Sequence, residues 1–206
     1  AGLAREPLLT GHPVRTSRVR IVAAPPPGAA FDLAILATQP PSVEAAAHDL
    51  VPALADDGAV LVVQNGLCEA RVGAIVGPAR VVGGVVAWGA TVRGPGVVEQ
   101  TARGGFTLGV LAGDATTHAG VRAFAELLGP SFPVRITTNL RGVRLSKLAL
   151  NAAISSIGTI AGEPLGPLVG VRRYRQLALE VMSEAVAVAH ADGVVLERVA
   201  GTLDLN

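Results

Sequence analysis

Apolar residues fall into short unbroken runs through the first two thirds of the chain and into helical spacing after that. Residues 32–38, DLAILAT, and 59–63, AVLVV, show no alternation, the pattern of strands buried on both faces of a parallel sheet. Between them, Ser42 is placed to cap a helix over 43–54, with Val43, Ala46, Ala47, Leu50, Val51 and Leu54 on one side. Asp56, Asp57 and Gly58 read as the turn that follows. Such a strand–helix–strand unit implies a right-handed crossover in a doubly wound α/β sheet. Upstream, residues 1–18 read as loop or edge structure and 19–24 as a short strand ended by Pro25-Pro26-Pro27-Gly28. Downstream come a helix over 69–76, a glycine-containing strand over 80–92 and a turn at Gly94-Pro95-Gly96. The remaining pieces are a hairpin pairing 97–100 with 106–109, a helix over 117–128 and a last strand over 134–137.

From Arg141 the pattern is helical, and the change places a domain boundary near Thr138. Residues 141–162 read as one helix with Leu145, Leu148, Ala149, Ala152 and Ile157 on its apolar stripe and Gly162 as its stop. Lys147, Asn151 and Ser155 stand at i, i+4 and i+8, so an ammonium, an amide and a hydroxyl line one ridge. Two readings are open: the ridge holds a polar substrate with lysine as proton donor, or the lysine snorkels to water and the asparagine is an ordinary surface residue. Residues 172–192 form a further helix on Leu177, Val181, Ala185 and Ala189, with Gly193 ending it. At the carboxyl end of the second buried strand sits Gln64-Asn65-Gly66-Leu67. That is where ligands bind in open α/β sheets, although Asn-Gly also makes a tight turn by itself.

Composition narrows the function classes. Half of the 206 residues are hydrophobic and 3% are aromatic, so the core is aliphatic. A net charge of +1, with one short basic cluster at Arg172, Arg173 and Arg175, argues against nucleic-acid binding. No apolar run is long enough to span a bilayer, and the four histidines form no metal-ligand spacing. The lone Cys68 rules out an internal disulfide framework, fits a reducing compartment and reads as a small packed side chain. Trp88 reads as core.

Taken in order, QNGL at 64–67, GGVVAWGATVRGPGVV at 83–98, KLALNAAIS at 147–155 and ALEVMSEAVAVAHADGV at 178–194 resemble the ketopantoate reductase family. The resemblance covers most of the chain from Asp32 to about Glu197. It implies a Rossmann-like dinucleotide-binding domain over residues 1–138 and an all-helical substrate and dimerisation domain over 139–206. It also implies NADPH in the cleft between them and reduction of a 2-keto acid to a 2-hydroxy acid. By resemblance Lys147 is the catalytic lysine, Asn151 and Ser155 fall on the substrate side, and Asn65, Gln64 and Gln39 fall on the cofactor side. A cytoplasmic enzyme, possible as a homodimer, is the matching expectation. The sequence also departs from the family. No GxGxxG is present, so a preceding strand–helix unit of ~30 residues is expected ahead of Ala1. The family's acidic residue and serine toward the substrate have no counterpart before Asn206. Gln39 stands where the family carries lysine, and Ser155 and Leu165 stand where it carries asparagine. These departures leave open a related dehydrogenase for another keto or imino acid, or a non-catalytic nucleotide-binding relative.

Overall fold

The structure, a computed structural model, describes residues 19–199. The expected loop or edge structure over 1–18 lies outside them. The strands are β1 (Phe31–Leu36), β2 (Leu54–Val62), β3 (Val81–Val86), β4 (Gly89–Gly94), β5 (Val97–Ala102), β6 (Phe106–Gly109) and β7 (Val134–Ile136). The α-helices are α1 (Val43–Leu50), α2 (Glu69–Val76), α3 (Ala119–Leu128), α4 (Leu140–Ala161), α5 (Leu165–Gly170) and α6 (Arg172–Ala191). A five-stranded sheet runs in the order β1-β2-β3-β6-β7, parallel throughout except where β3 meets β6. Strands β4 and β5 form a separate antiparallel ribbon.

The two sheet faces follow from the period-two alternation of β2. Val60 and Val62 pack with Val43 and Ala47 of α1 and with Val72 and Val76 of α2. Ala59 and Leu61 point the other way, onto Val121 and Phe124 of α3. Helices thus cover both faces of a largely parallel sheet, as the unbroken apolar runs predict for β2, and a helical region follows it.

Several local expectations are corrected. Among the described residues β1 is the outermost strand, and Phe31 and Ile35 are exposed there rather than buried. The 43–54 helix ends at Leu50, continues as a 3₁₀ turn with Pro52 in it, and gives way to β2 at Leu54. Asp56-Asp57-Gly58 are not a separate turn but an irregularity inside β2, where the register jumps from Phe31↔Leu54 to Leu33↔Ala59. Arg80 holds this bulge closed by donating to the carbonyls of Gly58 and Ala55. Residues 19–24 form no strand: Val19, Ile21 and Val22 are exposed, with no ladder partner among the described residues. The 80–92 strand is broken at Ala87-Trp88. As a result β5 pairs with β4 across Gly94-Pro95-Gly96, and β6 pairs with β3 instead. Trp88, at the break, stacks on Phe132 and meets Phe106 edge-on, in the α3-side core.

Helix α4 begins at Asn139, whose side chain accepts from the Gly142 amide, and ends at Gly162 in the left-handed conformation with φ 66°. Its buried face is rotated from the expected stripe. Leu148 is exposed and Leu145 half-buried, whereas Leu140, Val143, Arg144, Ser146, Ala149, Ala153 and Ile157 are buried. Small side chains on that face suit the close packing of α4 along α6.

Candidate active site

Parallel pairing sets the carboxyl ends of β1, β2 and β3 along one edge of the sheet. The chain leaving β1 brings Thr38 and Gln39 to that edge, and the chain leaving β2 brings Gln64 and Asn65. Together they line a cleft of about 230 Å³, with Ala37, Pro40 and Val63 completing its walls. Gln39 and Asn65 are exposed at its mouth, and Gly66 turns the chain with φ 87°. Gln64 is buried; its Nε2 donates to Thr38 Oγ1 at 3.4 Å, and its Oε1 has no partner. A buried acceptor left unpaired calls for a donor. Among the described residues the side chains lining this cleft are neutral, and Thr38, Gln39, Gln64 and Asn65 offer it hydroxyl and amide groups.

Helix α4 lies beside the same edge. Lys147 is half-buried, and its Nζ donates to the carbonyl of Val86, the last residue of β3, at 2.6 Å. Burial first, and the nearby Arg144 guanidinium second, push the amine down from its ordinary 10.5 to about 8. Asn151 is half-buried and Ser155 exposed, so the ridge runs outward from the sheet toward water.

Sequence reasoning missed Arg144. It is buried, and its guanidinium reaches three places at once: the Glu69 carboxylate, the Gln64 carbonyl at 2.8 Å and the Val62 carbonyl at 2.9 Å. Glu69 is also buried and opens α2, where a carboxylate faces the positive end of the helix. The pair fits because Gly83 has no side chain: a Cβ there would lie 2.7 Å from Glu69 Oε1 and would collide with Leu140 Cδ2. A signal for Arg144 existed. It directly follows the buried Val143, one turn after the buried Leu140, and a charge within an apolar stripe needs a partner. Cys68 packs in the core between the sheet and α1/α2, where burial pushes its thiol up.

A sheet wound on both faces, with polar groups gathered at its carboxyl edge beside a lysine-bearing helix, is an open α/β architecture whose ligands bind at that edge. The family profile Ketopantoate reductase PanE/ApbA matches residues 8–113, and Ketopantoate reductase PanE/ApbA C terminal matches residues 139–202. The chain belongs to the ketopantoate reductase family. It is similar to a 2-dehydropantoate 2-reductase of Pyrococcus horikoshii, 30% identical over 174 residues that cover 82% of this chain and 55% of that protein. It is also similar to the crystal structure of a PanE/ApbA family ketopantoate reductase from Ralstonia eutropha JMP134. That match has TM-score 0.67 and 30% identity, and covers 81% of this chain and 54% of the other. The fold is shared with a D-mandelate dehydrogenase solved with NADH and anilino(oxo)acetate, at TM-score 0.75 and 22% identity over 82% of this chain and 55% of that one. The chain spans about half the length of the curated relatives it matches.

Proposed function

We propose that this chain contributes the lysine-bearing half-site of an NADPH-dependent reductase, which converts a 2-keto acid to a 2-hydroxy acid in the manner of 2-dehydropantoate 2-reductase. The observation that carries this reading is Lys147: an amine drawn out of water at the carboxyl end of β3, with its pKa lowered to about 8. Gln39, Gln64 and Asn65 would hold the neutral part of the dinucleotide, since Gln64 Oε1 lacks a donor. A reduced nicotinamide, when bound, supplies hydride. The protein's own part is electrostatic. Negative charge builds on the ketone oxygen in the transition state, and the Lys147 ammonium stabilises it and then delivers the proton. Val86 aims the amine by accepting one of its three N–H bonds, leaving the others for substrate. Asn151, one turn along, would bind the substrate's hydroxyl or carboxylate, with Ser155 beyond it.

The same proposal includes NADPH over NADH, pantothenate synthesis in the cytoplasm, a homodimer, and a division near Thr138 into a dinucleotide-binding and a helical domain. The separate profile matches before and after that point support the division. A second reading, a dehydrogenase for a different 2-keto or imino acid, is favoured by Ser155 and Leu165 standing where the family carries asparagine.

The test is turnover by the full-length protein with NADPH or NADH and a panel of 2-keto acids. With a substrate found, Lys147→Ala lowers kcat roughly 100-fold or more and leaves NADPH affinity nearly unchanged. Wild-type kcat/KM falls as pH rises above about 8, because the donor must be protonated. Equal loss of turnover and cofactor affinity would remove the acid role.

A further inference from the structure

The loop from β2 to α2 carries Gln64 and Asn65, and one cation holds both its stems. Arg144 donates to Val62 and Gln64 where the loop leaves β2, and to Glu69 where it enters α2. The same guanidinium is rooted on α4, three residues before Lys147 and so about 4.5 Å along the axis. We infer that Arg144 is a positioning residue of the reductase site, fixing the Asn65 loop and the Lys147 helix in one geometry; this rests on the function proposed above.

Stability alone does not account for a charge in that place. Arg144 and Glu69 are each only 2% exposed, and replacing such a pair by packed apolar residues is often neutral or stabilising. An apolar pair would, however, leave the Val62 and Gln64 carbonyls and the Asn65 loop unanchored. It would also remove the positive charge next to Lys147. Among the groups around Lys147, β3 offers the Val86 carbonyl, α2 offers Glu69 held on Arg144, and α4 offers Arg144 itself. Burial and Arg144 are the influences that act on the amine.

The experiment uses the full-length protein in three forms: wild type, Arg144→Lys, and the double variant Arg144→Met/Glu69→Gln, which leaves no buried carboxylate unpaired. Wild-type turnover on the 2-keto acid panel decides the reductase reading by itself. In the double variant, kcat falls roughly 10- to 100-fold, the scale of a misplaced reacting group. The basic limb of its pH profile moves to higher pH, because the neighbouring cation no longer opposes the ammonium. Arg144→Lys keeps the limb near the wild-type position, since the charge stays, yet loses kcat because one ammonium cannot span three acceptors. Wild-type kcat together with an unmoved limb in a folded double variant would overturn the inference. If the double variant does not fold, Arg144→Lys decides, and wild-type kcat there overturns it. If wild type itself shows no turnover, the reductase reading fails, while NMR still tests Arg144. An unchanged Lys147 titration and unchanged Gln64 and Asn65 amide shifts in the variants would then overturn it.

Discussion

Strand β2 and helix α6 are both rich in aliphatic residues, yet the fold treats them in opposite ways. Val60, Leu61 and Val62 are wholly buried between α1 and α2 on one face and α3 on the other. Helix α6 runs for 20 residues and buries only Ala189, while Leu177, Leu179 and Val188 remain 44%, 58% and 69% exposed. Unbroken apolar runs assign both faces of a strand to packing, whereas among the described residues α6 packs on α4 and α5 and leaves even Leu177 of its expected stripe exposed. The described structure therefore concentrates its cohesion in the sheet, and the candidate site lies where α4 joins it.

Three substitutions sharpen that contrast. The largest effect is expected for Leu61→Ala, which opens a cavity between the sheet and α3; denaturant unfolding should show a loss of about 2–5 kcal/mol. A loss below about 1 kcal/mol would mean that the sheet is no better packed than α6. At the junction, Lys147→Met should stabilise the protein at pH 7 while abolishing turnover, raising Tm by a few degrees. The sign follows from linkage. The folded amine titrates at about 8, below its unfolded 10.5, so between these values the unfolded chain binds more protons and wild-type stability rises with pH. The advantage of Lys147→Met is thus full below pH 8 and gone above 10.5, which melts at several pH values would reveal. The smallest effect belongs to Leu179→Gln on exposed α6, within about 0.5 kcal/mol of wild type by the same unfolding measurement. A larger loss there would show that α6 is covered in solution.

Much of the architecture was legible because it is local. The helix over 69–76 has the bounds of α2, and α4 lies within one residue of its expected span. What the pattern could not supply was pairing. Residues 97–100 and 106–109 have strand character and their spacing predicts a hairpin, but the structure divides them between two sheets. The break at Trp88, which redirects β4 onto β5, depends on aromatic contacts with Phe106 and Phe132. The six-residue α5 and the coil at 19–24 are governed by tertiary surroundings rather than propensity. In the site, Lys147, Asn151, Gln64 and Asn65 stood out through their motifs. Arg144 and Glu69 did not, because their pairing joins positions 75 residues apart and neither belongs to a recognised spacing.

The absent side chain at Gly83 has a reach beyond its own strand. Position 83 is effectively a keyhole, sized for hydrogen, through which a carboxylate on one helix meets a guanidinium on another. A single added methyl would push Glu69 and Leu140 outward and slacken the grip on Asn65 without altering any ionisable residue. Under the proposed reductase reading, a library selected for turnover would therefore return glycine at this codon as stubbornly as lysine at 147, though no atom of Gly83 need ever touch a substrate.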